Sequence, residues 1–170
     1  LPTSDALSIV RRGPGRFEGR KLGVLVTDGA SAATVNALQS AVLEAGGMVE
    51  IIAPKISGAM LDDDTLLPAQ QKIDGGPSVL YDAVAIVVSE EGASLLQKDA
   101  PTKDFISDAF AHCKFIGYVA AAQPLLERAG IADSLDEGCI ALADEDVGSF
   151  IARLGELRLW SREPGVDADA

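Results

Sequence analysis

Short apolar runs alternate with amphipathic stretches along most of this chain. Lys21-Leu22-Gly23-Val24-Leu25-Val26-Thr27 is the nearly unbroken apolar run of a strand covered on both faces, and Asp28-Gly29 after it reads as a turn. Ser31 is placed to cap a helix running to about Ala45, with Val35, Leu38, Val42 and Leu43 on one face and Gly46-Gly47 as its stop. A second strand is expected from Met48 to Pro54 and a third from Asp82 to Val88, which completes one βαβ half. Between them, residues 59–69 predict a β-hairpin turning on Asp62-Asp63-Asp64.

The second half repeats the alternation. A short helix is expected from Glu91 to Gln97 and a longer one from Thr102 to His112, with Phe105, Ile106, Ala109 and Phe110 facing inward. Lys114-Phe115-Ile116-Gly117-Tyr118-Val119 predicts a fourth buried strand, and Gln123 to Gly130 a helix with a glycine stop. Cys139 to Ala143 predicts a fifth strand. A closing amphipathic helix is expected from Asp146 to Trp160, built on Val147, Phe150, Ile151, Leu154, Leu157 and Leu159. Strands alternating with helices predict a flavodoxin-like α/β fold, a doubly wound, mainly parallel sheet flanked by helices on both faces. The domain is expected to span residues 21–160. Residues 1–20, rich in Gly, Pro and Arg, read as a linker or arm in which Ala6 to Val10 can dock on something, and residues 161–170 as a flexible acidic tail.

Between the fourth strand and its helix sits Ala120-Ala121-Ala122. A sharp strand-to-helix turn aims one side chain at a helix N-terminus, where the dipole lowers a thiol's pKa or holds an oxyanion. Alanine cannot attack, donate a side-chain hydrogen bond or take a proton, so covalent catalysis from this elbow is excluded.

The totals narrow the remaining classes. The chain has 170 residues, 48% of them hydrophobic, enough for one domain with a sizeable core. With 14 basic and 26 acidic side chains the net charge is −12, which disfavours nucleic acid and anionic membranes as partners. No apolar run is long enough to span a bilayer, the start lacks a signal peptide's order, and the first residue is Leu, so a fragment of a longer protein is expected. Cys113 and Cys139 lie in apolar settings without CxxC spacing and read as buried structural thiols. His112 is the single histidine, so a His-containing triad could come only from it, zinc would have to find other ligands, and no metal site is expected.

Several stretches together, among them Gly19-Arg20-Lys21-Leu22-Gly23-Val24-Leu25-Val26-Thr27-Asp28-Gly29, Gly75-Gly76-Pro77-Ser78-Val79-Leu80-Tyr81-Asp82, Ser89-Glu90-Glu91-Gly92-Ala93 and Ala122-Gln123-Pro124-Leu125-Leu126, resemble the C-terminal domain of large-subunit haem catalases. The likeness keeps its order over essentially the whole chain. That domain is in turn similar to the PfpI and class I glutamine amidotransferase-like superfamily. The resemblance implies that the superfamily's nucleophilic cysteine falls on Ala120, its histidine on Ala121 and the elbow glycine on Ala122. Its acidic residue would fall near Ser31 to Thr34, where there is no carboxylate. The resemblance also places the haem and its ligands in an N-terminal core outside this sequence, so no cofactor is expected here, and Tyr81 and Tyr118 read as packing residues. The implied partners are that catalase core and neighbouring subunits of a homotetramer.

The resulting expectation is a non-catalytic accessory domain that stabilises a hydrogen-peroxide-dismutating parent. By analogy with chaperones of the superfamily, it would also hold unfolded clients on exposed apolar surface. The alternative is a PfpI-type hydrolase or deglycase, or a small-ligand domain using the crevice at the carboxyl ends of the strands. That crevice is expected to be lined by Thr27, Asp28 and Gly29, by Ser89, Glu90, Glu91 and Gly92, and by the alanine turn. Its carboxylates count against a flavin phosphate. Asp62-Asp63-Asp64 lacks the ligand spacing of a calcium loop and reads as a solvated turn.

Overall fold

The apolar runs become the interior strands of one parallel sheet in the computed structural model, which describes residues 4–8, 10–11, 13, 15–143 and 147–166. The strands are β1 (Lys21–Val26), β2 (Met48–Ala53), β3 (Ala59–Met60), β4 (Leu66–Leu67), β5 (Gln71–Lys72), β6 (Ala83–Val87), β7 (Ile116–Tyr118) and β8 (Cys139–Ala141). The helices are α1 (Ala32–Glu44), α2 (Glu90–Leu96), α3 (Ala100–Ala111), α4 (Gln123–Arg128), α5 (Val147–Arg153) and α6 (Glu163–Val166). The main sheet runs β5-β2-β1-β6-β7-β8 with every neighbouring pair parallel, and β3 and β4 form a separate antiparallel hairpin. Val24 at the centre sits between Ile51 and Ala85.

Each face of the sheet has its own apolar layer. Val35, Leu38 and Val42 of α1 and Val147, Phe150 and Ile151 of α5 cover one face. Leu96 of α2, Phe105 and Ile106 of α3, and Leu125 and Leu126 of α4 cover the other. The sheet is therefore doubly wound as expected. The winding reverses at β1, which sends α1 to β2 on one side and has β6 on its other, so the crevice opens beyond the carboxyl ends of β1 and β6.

The helix starts follow from the sequence. Ser31 Oγ accepts from Thr34 N–H at α1, Ser89 Oγ from Gly92 N–H at α2, and Asp99 Oδ2 from Thr102 N–H at α3. Gly46 and Gly130 take the positive φ that ends α1 and α4.

Several expectations are corrected. Leu43 is 75% exposed, because it lies about 100° around the helix axis from Val42 and so falls off the buried stripe. The edge strand β5 has two polar residues and no hydrophobic pattern to announce it. The closing helix does not reach Trp160. It ends at Arg153 and passes through a 3-10 turn (Leu154–Glu156), and Leu157 then reverses the chain at φ 68°. The reversal lets Leu159 N–H donate to the Cys113 carbonyl at 2.8 Å, a tertiary gain that helical periodicity cannot report. Asp146, its expected start, lies outside the described residues.

The flanks also differ from a loose arm and tail. Phe17 is buried in the α1 and α5 layer, with Gly47 against its ring. Arg162 is only 6% exposed and forks onto Asp136. Leu7 and Val10 are exposed, while Ile9 and residues 167–170 lie outside the described residues. Among the described residues no helix is long and apolar enough to cross a membrane.

Candidate functional site

The elbow is built by β7, which ends at Tyr118 and passes through extended Val119 into a 3-10 turn of Ala120, Ala121 and Ala122 ahead of α4. A nucleophile elbow holds its residue in a strained backbone conformation. Ala120 carries no such strain, since the described non-glycine residues with positive φ are Asp64, Cys113 and Leu157. Ala120 is exposed and Ala122 fully buried, packed with Leu125 and Leu126. Where the superfamily's acid would stand, Ser31 is occupied as the cap of α1. His112 lies exposed at the end of α3, before β7 begins, and so at the opposite edge of the sheet from Ala120.

Neither cysteine is an activated thiol. Burial raises Cys113 above the ordinary thiol value despite the nearby Arg162 charge, and burial pushes Cys139 up to about 11.

The crevice is braced by its own polar groups. Ser89 N–H donates to Thr27 Oγ1 at 3.0 Å, and the Ser89 hydroxyl donates to the Asp28 carbonyl at 2.6 Å while capping α2. Gly92 is required here because a Cβ would overlap the Thr27 hydroxyl, and Gly29 adopts φ 77°. Glu90 and Glu91 lie exposed in the first turn of α2, where a helix N-terminus favours negative charge. The hairpin β3–β4 leans over the rim: Gly29 N–H donates to the Met60 carbonyl at 2.7 Å, and Ala32 N–H to Asp62 Oδ1 at 2.8 Å. Asp28 Oδ1 accepts from Met60 N–H at 2.9 Å, and Lys55 Nζ stands 3.5 Å from its other oxygen. The Met60 hydrogen bond, more than the Lys55 charge, holds the Asp28 carboxyl below its usual value.

What remains open is a cavity of about 180 Å³ lined by Thr27, Asp28, Gly92, Glu91 and Leu95 together with Pro54, Lys55, Gly58 and Ala59. Of the expected residues, Thr27, Asp28, Glu91 and Gly92 line this cavity, while Gly29, Ser89, Glu90 and the alanine turn lie off its wall. The missed side is the loop after β2, which the sheet order itself could have placed, since β2 neighbours β1 and ends at the same rim. Lys55, the one cation on that wall, already faces Asp28, so the cavity presents no free cation to a phosphate. In the acidic turn, Asp62 is engaged with α1, Asp63 accepts from the Thr65 N–H and hydroxyl, and Asp64 takes φ 64°. Among the described residues no three His, Cys, Asp or Glu side chains are grouped as a metal ion needs.

A haem would need an axial donor over an apolar slot. His112 borders a charged depression of about 470 Å³ that it shares with Lys114, Arg158 and Glu163, and Tyr81 is sealed in the core, so neither of these two fits as such a donor.

The hydrogen-bond network at the sheet's other end had no sequence signal. Lys114 is only 3% exposed, and its ammonium donates to the Ser78 and Tyr81 carbonyls at 2.5 and 2.7 Å. Arg162 adds bonds to the Phe110 and Lys114 carbonyls and lies 4.2 Å over the Phe110 ring.

Comparison with known proteins fits this geometry. A family model for the C-terminal domain found in long catalases matches residues 18–164. "Catalase C" of Rhizobium meliloti is 54% identical over 98% of this chain, which covers 24% of that protein. "Catalase HPII" of Mycobacterium avium is 31% identical over 95% of the chain and 25% of its own length. The chain therefore spans about a quarter of the length of the curated relatives it matches. Among solved structures, oxidized DJ-1 of Toxoplasma gondii superposes with a TM-score of 0.67 at 16% identity, covering 89% of this chain and 97% of that one. A ThiJ/PfpI domain protein from Brachyspira murdochii gives 0.69 at 10% identity, covering 82% and 96%. At such identities the likeness establishes the shared fold.

Proposed function

This chain belongs to the family of C-terminal domains found in long catalases, and from that premise we propose that it is a non-catalytic accessory domain of such an enzyme. The parent converts hydrogen peroxide to water and oxygen on a haem held by a core outside this chain. The domain binds that core and neighbouring subunits of a homotetramer, and so raises the stability of the assembly. The observation that carries this reading is the relaxed turn of Ala120, Ala121 and Ala122 at the position of the superfamily's nucleophile. It weighs against the PfpI-type hydrolase or deglycase. The unactivated thiols, Cys113 buried and Cys139, against the expectation for both, only half-buried, weigh the same way.

Deleting the domain from the full-length parent tests the reading. Peroxide turnover per haem is expected to stay within about twofold, while the melting temperature falls by several degrees, as loss of ~1–2 kcal/mol would produce. An unchanged melting temperature, or peroxide consumption by the 170-residue chain alone, would overturn it.

A second reading, a holdase for unfolded chains, is favoured by one feature. Ile56, Met60 and Leu66 of the hairpin region and Leu95 of α2 are all exposed near the crevice, an apolar surface on a protein of net charge −12. Light scattering of a heat-stressed client with this chain present decides it. Suppression beyond that given by an inert acidic protein supports the role, and equal suppression rejects it.

A further inference from the structure

The amino-terminal end of the sheet holds two cations that, among the described residues, form no ion pair, although Asp82 acts on both from a distance and Asp108 on Lys114. Lys114 is buried, and both of its recorded hydrogen bonds go to neutral carbonyls. Arg158 is half-buried, and its Nη1 donates to the carbonyls of Asp82 and Leu157 at 2.9 and 2.8 Å. Among the described residues neither has a carboxylate within ion-pair distance. The nearest candidate is already engaged: the Asp82 carboxylate accepts from Arg20 at 3.3 Å and from Lys21 N–H at 3.0 Å. Lys98 and Arg128 also lack ion pairs there, but they are exposed to water, which solvates them.

Two desolvated cations without an ion-pair partner among the described residues stand out in a chain of net charge −12. Burying an unpaired charge is costly, and the two repel each other. Both line the same depression of about 470 Å³, together with Val79, Trp160, Ala111, His112, Cys113 and Glu163. The depression is thus lined both by cations and by the apolar surface of Trp160 and exposed Val79. Glu163 is the one carboxylate on this wall, and it opposes an anion.

We propose that this depression binds a small oxyanion, a carboxylate or phosphate, whose charge sits at Arg158, in the field of the buried Lys114, and whose apolar body lies against Trp160. The site is separate from the crevice at the carboxyl ends of the strands and independent of the accessory-domain reading. Guanidinium suits it because its planar fork matches two oxygens at once.

Trp160 is the chain's single tryptophan, so its fluorescence reports on this surface directly. The 170-residue chain is titrated with inorganic phosphate and, separately, with benzoate, against chloride at matched ionic strength. The expected result is a saturable change with at least one of the two, weakened about tenfold by Arg158→Gln and kept within a few-fold by Arg158→Lys, as loss of a charge-assisted bond implies. Calorimetric titration repeats the comparison without relying on the indole. Saturation by phosphate alone or benzoate alone identifies the head group. If Arg158→Gln fails to fold, Glu163→Gln replaces it and must tighten binding. The absence of any saturable response beyond chloride, an equal response in a folded Arg158→Gln, or no tightening in Glu163→Gln would overturn the proposal.

Discussion

Arg162 and Asp136 meet in a two-pronged ion pair, Nε to Oδ2 at 2.6 Å and Nη2 to Oδ1 at 2.7 Å, which fastens the C-terminal stretch to the segment before β8. The fork also positions Gly138, whose N–H donates to Asp136 Oδ1 at 2.9 Å, and Gly138 in turn passes its carbonyl to Ile116 N–H in β7. One arginine thus links the C-terminal stretch to β7, the strand beside the β8 edge.

Arg162→Ala is expected to destabilise the domain by about 3–5 kcal/mol, the range for breaking a buried pair by removing one partner. Arg162→Lys is expected to recover only part of it, because an ammonium cannot form the fork. Urea denaturation measures both. Burial acts to raise the Asp136 carboxyl, but the Arg162 fork and the Gly138 N–H outweigh it and hold the group below its usual value. The folded state therefore binds the proton more weakly than the unfolded one. Its stabilisation is present above the ordinary carboxylate range and is lost as pH falls below it, and Asp136→Asn removes that part of the acid dependence.

Ala120→Cys places a thiol at the elbow with Val119 and Ala121, neither a histidine nor a carboxylate, on either side of it in the chain. It is expected to react with an alkylating reagent, being exposed, yet to show no esterase, amidase or deglycase turnover above the parent chain. Chromogenic ester and methylglyoxal assays check this, and turnover dependent on the new cysteine contradicts it.

Gly92→Ala is expected to lower stability by about 1–3 kcal/mol, since its methyl would displace the Thr27 hydroxyl from Ser89 N–H. Thermal melting with circular dichroism reads the loss. Ala121→Gly, partly exposed in the alanine turn, serves as the comparison and is expected to cost less than about 1 kcal/mol.

Lys114 titrates at about 8 in the folded domain, lowered from 10.5 chiefly by burial and next by Arg158, against opposing Asp82 and Asp108. Between about pH 8 and 10.5 the unfolded chain holds this proton and the folded chain does not, so the Lys114 contribution to stability rises with pH. The stability of the natural chain minus that of Lys114→Met is expected to increase by about 3 kcal/mol across this window, at 1.36 kcal/mol per pKa unit. The subtraction cancels the thiols, which oppose the trend. Denaturant midpoints at pH 7.5, 9 and 10.5 give the slope.

The sheet's interior was legible because β1 and β6 are covered on both faces and β2 is buried along Ile51 to Ala53, which leaves apolar runs in the sequence. The caps at Ser31 and Ser89 and the stops at Gly46 and Gly130 are local chemistry and read equally well. The empty elbow needed only residue identity. Long-range contacts left no such trace: β5 is recruited by Ile52 and Ala53, Leu157 turns for the sake of Leu159, and Arg162 is buried by a partner 26 residues away. The crevice was half legible, since the turn residues of β1 and α2 announce themselves while Pro54 and Lys55 become neighbours only through the strand order.

The sheet ends on one flank in the two-residue β5 and on the other in the three-residue β8. Borders that short present few unpaired backbone groups to another chain, which is how sheet proteins resist fibril-like stacking. The exposed apolar side chains of this domain are therefore not joined to a sheet edge that templates cross-β growth. Any grip it exerts on another polypeptide would come through methyl groups of hairpin and helix and not through a shared ladder of amides, so it could let go.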